Sequence, residues 1–423
     1  MLAFVRNFNF LILVLFFLCY SYQIVYIFIC FLKKDKKENE PAKEQHKFAV
    51  LISARNESAV IGELLDSINQ QTYPKELLDV YVVADNCTDN TAQIARDHGA
   101  KVFERFNKVN VGKGYALDYA FAKIDEKVGV RNYEGYLVFD ADNVLDPHYV
   151  EEMNRTFDRG YRVITSYRNS KNYDSNWISA GYALWFLRES TYLNGARMLC
   201  HSSCAISGTG FLVSSEIIEK NHGWKHHLLT EDIEFSIDNV IQGEVIGYCK
   251  NAVVYDEQPT RFGASWKQRM RWAKGFYQVL QHYGRNLLAK CVKGRSFQCF
   301  DMMMTIAPAT LLTLGSLAVN LFVFLYGLAN GRPFLAEVAL AEIGATFMGI
   351  YLSLFMFGAI TTATEWKRIY CSPVKKLAYM FTFPIFIFTY VPIAIAALFK
   401  PVQWEPVHHS ISKNVNEIQQ RAS

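Results

Sequence analysis

Glycine-rich phosphate loops are missing from this chain. No G-x-G-x-x-G and no Walker A pattern occurs in its 423 residues, which argues against a dinucleotide site and against a P-loop. Paired cysteines are missing too. The nine cysteines include no C-x-x-C, and their spacings match neither a zinc site nor a disulfide framework. Free thiols suit a reducing compartment. There are no internal repeats and no low-complexity tracts. The net charge is only +4, and no nucleic-acid partner is expected.

What is present is sharply segregated. The stretch 8–32, "FNFLILVLFFLCYSYQIVYIFICFL", carries no charge and is long enough to span a bilayer. It exceeds a signal-peptide core and no small-residue cleavage site follows, so it reads as a retained anchor, domain 1–32. Three further apolar runs lie near 302–328, 334–360 and 377–399. Glu337 and Glu342 place the first half of the middle one at an interface. Lys33, Lys34, Lys36 and Lys37 follow the anchor, and Lys274, Lys290, Lys293 and Arg295 precede the next run. The positive-inside rule then puts the large domain between them in the cytoplasm of a multi-pass cell-membrane protein. With all four runs spanning, the tail 400–423 ends outside; with one re-entrant, it ends in the cytoplasm. That tail reads as a simple polar segment.

Between linker and second span, residues 33–260 alternate strands and helices. "HKFAVLIS" (46–53), "LLDVYVVA" (77–84), "KVFER" (101–105) and "GYLVF" (135–139) read as strands. Helical patterns cover 57–70, 88–98 and 113–124. This is an α/β class with a mostly parallel sheet covered on both faces. Ligands of such sheets sit at the carboxyl ends of strands. There the chain places "ARNES" (54–58), "DNCTD" (85–89) and "DADN" (140–143). Two aspartates at i, i+2 after a strand can share a hard divalent cation. In "LLTEDIEF" (228–235), Thr230 is a helix N-cap, and Glu231 and Asp232 lie in the first turn. A carboxylate kept ionised by a helix N-terminus suits a general base.

The ordered set "SARNES", "VVADNCTD", "GKGYALDYA", "DAD", "SGTGFLVS", "LTED" and "QRMRW" resembles the membrane-integrated family 2 glycosyltransferases. These include the cellulose, chitin, hyaluronan and poly-N-acetylglucosamine synthases. The resemblance covers roughly 48–280. It implies a Rossmann-like glycosyltransferase-A domain joined to an α-helical transmembrane region. It also implies an inverting transfer from a UDP-sugar, with UDP-glucose or UDP-N-acetylglucosamine as donor. The product is a β-linked polysaccharide extended at the membrane and exported; the alternative is single transfer to a lipid or other membrane acceptor. By the same resemblance Ala54, Arg55, Glu57, Asp85, Lys113, Asp140, Asp142, Gln268 and Arg271 bind the donor. Asp142 carries Mg2+ or Mn2+. Ser207, Gly208, Thr209, Glu231 and Trp272 face the acceptor, and Asp232 with Arg271 is catalytic. Expected partners are the donor, a growing polysaccharide or lipid acceptor, and the bilayer; an oligomer or auxiliary export subunits are compatible with this reading.

Residues 261–300 read as interfacial amphipathic helices, followed by about three helices over 301–399. On a helix Gln268, Arg271 and Trp272 share one face, at i, i+3 and i+4. Arginine suits a leaving diphosphate because its planar fork matches phosphate oxygens. Arg269 and Lys274 fall on other faces, where solvating a surface is expected of them. No F-x-V-T-x-K gating sequence follows the spans. The histidine pairs 226–227 and 408–409 are expected to be exposed or interfacial rather than metal ligands.

Overall fold

The computed structural model describes residues 2–35, 37–38 and 40–420. Lys36 and the last three tail residues, 421–423, lie outside the described residues. A long apolar helix, α1 (Leu2–Leu32), precedes the globular part. That part begins β1 (Phe48–Ala54), α2 (Ile61–Asn69), β2 (Leu78–Asp85), α3 (Thr91–Asp97) and β3 (Lys101–Arg105). It continues with α4 (Lys113–Val128), β4 (Gly135–Asp140), β5 (Val144–Leu145), α5 (Tyr149–Asp158) and β6 (Val163–Ser170). Next come α6 (Trp177–Arg188), α7 (Gly195–Leu199), β7 (Phe211–Ser214), α8 (Ser215–Lys220), α9 (Glu231–Gln242) and β8 (Ile246–Asp256).

These strands form one eight-stranded sheet in the order β3-β2-β1-β4-β7-β6-β8-β5. The first half, β3-β2-β1-β4, is parallel; β7 pairs antiparallel with both β4 and β6. Strand β1 is apolar along nearly its whole length because both faces are covered. Ala116, Leu117, Phe121 and Ile124 of α4 pack on one face, while Leu64, Leu65 and Ile68 of α2 and Val150 and Met153 of α5 pack on the other. The parallel ends of β1, β2 and β4 therefore open on one edge. That edge carries the acidic turns.

Among the described residues, four helical segments are long and apolar enough to cross a membrane: Leu2–Leu32, Ala309–Ala329, Pro333–Thr364 and Pro373–Phe399. They belong to α1, and, after α10 (Phe262–Val292) and α11 (Phe297–Ile306), to α12 (Pro308–Ala329), α13 (Pro333–Thr364), α14 (Pro373–Phe388) and α15 (Tyr390–Phe399). The last apolar run is broken at Thr389. Pro392 has no N–H for the Phe388 carbonyl four residues back, which weakens the helix ladder at this point.

The two halves of this run hold two cations that sequence reasoning put on the surface. Arg269 is buried, not solvating. Its Nη1 donates to Phe386 O (3.0 Å) and Thr389 Oγ1 (2.8 Å), and its guanidinium lies over the Phe386 ring. Lys274 Nζ likewise donates to Ala397 O at 3.1 Å. Both serve carbonyls of α14 and α15, partners more than a hundred residues away that no local pattern reveals. Arg269→Ala removes a buried charged donor from Phe386 O and Thr389 Oγ1, at a cost of about 1–3 kcal/mol; a lowered unfolding midpoint in detergent is the expected result.

The broken helix also settles where the tail lies. Lys375 near its start donates to Asp174 O (2.7 Å) in the globular domain, and its end is held to α10. The following residues, through α16 (Val415–Gln419), run back along the domain, where Gln419 reaches Tyr255.

Candidate active site

The edge of the parallel sheet forms one cleft. Its walls include Ala54, Arg55, Glu57, Asp85, Lys113, Asp140, Asp142, Gly208, Glu231, Asp232, Gln268, Arg271 and Trp272. All the donor residues and both catalytic residues expected from sequence thus meet at one place. Of the acceptor loop, only Gly208 reaches this cleft. Ser207 and Thr209 line a smaller cavity behind it, with Arg168 and Glu189.

At the β1 end, α2 starts at Ile61 rather than Glu57. Asn56 adopts a left-handed backbone, φ 58°, and accepts from Thr88 N at 2.8 Å. This turn presents Glu57 to the cleft. Burial pushes the Glu57 carboxyl up to about 7, with the neighbouring His409 working against the shift. At the β2 end, Asp85 is buried and accepts from Arg105 Nη1 at 2.6 Å. Burial raises its carboxyl above the ordinary range although Arg105 opposes this.

At the β4 end, Lys113 Nζ bridges Asp140 Oδ1 (2.5 Å) and Gly208 O (2.8 Å). Lys113 opens α4, whose first N–H groups therefore face the cleft beside the lysine, an arrangement suited to phosphate. Asp142 is buried and accepts from Glu257 N at 2.9 Å. Burial works to raise its carboxyl, but His409 and Lys171 outweigh it and hold the group below the usual range. Among the described residues, no group of three or more His, Cys, Asp or Glu is arranged to hold a metal ion by itself. Mg2+ typically takes one or two carboxylates and completes its shell with substrate phosphates and water. Asp142, held ionised in the cleft that Lys113 also lines, fits that use.

At the start of α9, Asp232 Oδ2 accepts from Gly208 N at 2.6 Å. Glu231 beside it is pushed up to about 7 by burial and by the Asp232 charge. Thr230 stands at the expected N-cap position, but its hydroxyl makes no capping bond. Gly275 of α10 packs directly against that side chain, which fixes it toward the helix contact instead. Arg271 Nη1 donates to Leu229 O at 2.8 Å, which anchors the guanidinium while leaving its other N–H groups toward the cleft. Trp272 meets Tyr182 and Phe186 edge-on, at ring separations of 5.6 and 6.1 Å.

The tail corrects the sequence reading most. It is not a free polar segment: Trp404, Glu405, Pro406, Val407 and His409 form part of the cleft wall. Trp404 lies over Arg55, 5.3 Å from guanidinium to ring. His409, expected to be exposed, is held by Glu57 at 3.0 Å and stands 4.0 Å from Asp142. Burial disfavours its imidazolium, yet Asp142 and Glu57 raise it to about 10. Glu257 accepts from the Ser410 and Ile411 amides. His226 is also corrected. It is a buried residue paired with Asp238 at 3.0 Å, while His227 stacks on Tyr115.

Sequence reasoning missed Arg105, Arg168, Asp256, Glu257 and His409. Asp256 and Glu257 follow a strand directly, so the rule that found Asp140 would also find them. The others depend on tertiary contacts.

A family model described as "Glycosyltransferase like family 2" matches residues 46–275. The chain belongs to the family 2 glycosyltransferases. Among curated relatives, this glycosyltransferase is 28% identical over 275 residues to a probable glycosyltransferase of Bacillus subtilis, covering 60% of each protein. It is 24% identical over 384 residues to a beta-monoglucosyldiacylglycerol synthase of Synechocystis, 88% of this chain and 77% of that one. It is 27% identical over 288 residues to a poly-beta-1,6-N-acetyl-D-glucosamine synthase of Staphylococcus epidermidis, covering 64% and 66%. The match thus spans well under two thirds of the Bacillus protein. Among solved structures, a mannosyltransferase of Pyrobaculum calidifontis in complex with GDP-Man and Mn2+ superposes with a TM-score of 0.52 at 16% identity, covering 93% of this chain and 99% of that one. That likeness establishes the glycosyltransferase-A fold. The chain carries a family 2 glycosyltransferase domain of that fold and, among the described residues, four candidate membrane helices.

Proposed function

We propose that this enzyme transfers a sugar from UDP-glucose or UDP-N-acetylglucosamine to a hydroxyl of a membrane-held acceptor, with inversion at the anomeric carbon. The observation that carries the reading is the convergence of Asp142, Lys113 and Arg271 opposite Asp232 in one cleft. The acceptor hydroxyl attacks the anomeric carbon in line as the bond to the diphosphate oxygen breaks. Asp232 takes the hydroxyl proton. Lys113, the α4 N-terminus and Arg271 receive the charge that develops on the leaving diphosphate. Mg2+ or Mn2+, held by Asp142, would add Lewis-acid neutralisation of that charge. No covalent nucleophile is required, so an α-linked donor gives a β-linked product.

In this reading the domain plan is an anchor at 1–32, a catalytic domain over 33–260, amphipathic helices over 261–300, apolar helices over 301–399 and a tail over 400–423. In this reading α1, α12 and α13 cross the bilayer, while α14 and α15 leave and rejoin the cytoplasmic domain. Such a return keeps the tail beside the cleft.

Polysaccharide extension is the reading that Q-x-x-R-W implies. A second, transfer to a lipid acceptor, is favoured by the packing behind Trp272. Ile178, Tyr182, Phe186 and Phe386 form a closed apolar cluster there. A side chain placed at Gly181 would meet Phe386 at 2.3 Å, so α6 and α14 leave no lumen between them. Almost none of the most apolar stretch of α13 is buried, which suits a lipid-facing surface.

The test is incubation of the purified chain in nanodiscs with each labelled UDP-sugar, with UDP release and product partition both followed. UDP release with an organic-extractable product supports the lipid reading, and a high-mass aqueous polymer the polysaccharide one. No UDP release with either donor overturns the proposal. Excess EDTA should abolish turnover, and Asp142→Asn should weaken metal-dependent donor binding by about tenfold or more, as loss of a charged ligand does. Full activity in chelator would remove the metal from the reading.

A further inference from the structure

Arg168 lies near the end of β6 and belongs to no motif that identified the family. Its Nη1 donates to Ser207 O at 2.7 Å. Its Nε donates to Asp256 Oδ2 at 2.7 Å, and Nη2 bonds the same oxygen. The guanidinium rests on the Phe186 ring, 3.5 Å from its centroid. Asp256 is itself buried, and its other oxygen accepts from Gln258 Nε2 at 2.6 Å. The cation is thus fixed on three sides by groups that do not move independently.

Ser207 O and Gly208 N belong to one peptide group. Arg168 therefore grips the carbonyl end of the same amide whose N–H donates to Asp232 Oδ2. The next carbonyl, Gly208 O, is held by Lys113, which also binds Asp140. Gly208 has φ +81°, and a Cβ there would lie 3.5 Å from Arg168 Nη1. The backbone can make this turn without strain only as glycine.

We propose that Arg168, held by Asp256, is a positioning residue that sets the aim of the catalytic base through the Ser207–Gly208 peptide. The guanidinium orients the peptide plane and draws electron density toward the carbonyl, which strengthens the N–H donor on the other side. Asp232 is thereby fixed in one rotamer facing the acceptor hydroxyl. The clamp stands between the two cavities: Arg168 lines both, with Asp256 and Gly208 on the cleft side and Glu189, Ser207 and Thr209 behind. The inference rests on the reading of Asp232 as the base.

A double-mutant cycle on the full chain in nanodiscs tests it. Arg168→Met removes the clamp and keeps much of the packing on Phe186. Turnover should fall about ten- to a hundredfold, the scale of a misplaced reacting group, with donor KM and UDP affinity nearly unchanged. In an Asp232→Asn background the same substitution should have little further effect, because residues acting as one unit are not additive. Where Arg168→Met lowers the yield of folded protein, Arg168→Lys carries the same cycle, since it keeps a charge beside Asp256 without the fork. Additive losses, a parallel loss of UDP affinity, or unaltered turnover in the folded variant overturns the positioning role. If Asp232→Asn alone retains normal turnover, it is the assignment of the base that fails.

Discussion

Asp232→Asn should reduce turnover by about 10²–10⁴-fold, the usual contribution of a positioned general base. The substitution keeps the side chain's shape and leaves an amide oxygen to accept from Gly208 N, the bond that now holds Oδ2 at 2.6 Å. It removes only the capacity to take a proton. UDP and UDP-sugar affinity should stay close to that of the unaltered enzyme, because the donor contacts lie around β1, β2, β4, α4 and α10 rather than on α9. The contrast with Glu231 sharpens the test. Burial and the adjacent Asp232 charge push Glu231 up to about 7, so near neutrality it is divided between its protonated and ionised forms. A carboxyl raised in this way can also take a proton near neutrality, so a Glu231→Gln variant measured alongside tells the two carboxylates apart. The measurement is single-turnover rate and UDP affinity on the same preparation. Normal turnover in Asp232→Asn would assign this acidic turn to helix-end stabilisation alone.

Much of this site is legible in the sequence because its parts obey local rules. Asp85 and Asp140 are the last residues of β2 and β4, and Asp142 follows two positions on. In a parallel sheet covered by helices, strand ends are the places where a ligand meets backbone. Strands β1, β2 and β4 are recoverable for a similar reason: buried along most of their length, they are nearly continuous apolar runs, whereas the edge strand β3 alternates. The parts that were not legible depend on distance along the chain. Arg269 carries the same local signature as a solvated cation on an amphipathic helix, and only Phe386, 117 residues on, makes it a buried one. His409 reads as part of a polar tail until the chain's return brings it within 3.0 Å of Glu57. Helix periodicity separates the faces of α10. It does not say what covers each face.

Within α10 the three neighbouring side chains should fail in three different ways. Arg271→Ala should lower turnover by about 10²–10³-fold, comparable to the loss of one oxyanion donor. Its guanidinium is tied to Leu229 O through one N–H and lines the cleft opposite the Lys113 end of α4. It meets charge on the diphosphate as that charge grows, so the loss falls on the rate more than on donor affinity. Arg271→Lys should recover little, because a point charge cannot both hold Leu229 O and reach the phosphate oxygens as a planar fork does. Trp272 belongs to the acceptor side, where its ring packs edge-on with Tyr182 and Phe186. Trp272→Ala should therefore leave UDP-sugar binding and slow hydrolysis of the donor intact while transfer to acceptor is lost. Arg269→Ala should instead lower stability, with the surviving folded enzyme turning over normally. UDP affinity, donor hydrolysis, transfer product and unfolding midpoint, measured for all three in one nanodisc preparation, distinguish these outcomes. Equal and mild effects across the three would make α10 a basic amphipathic helix with no part in the chemistry. A rate loss confined to Arg271, a transfer loss confined to Trp272 and a stability loss confined to Arg269 would show that adjacent residues on one helix serve the leaving group, the acceptor and the fold separately.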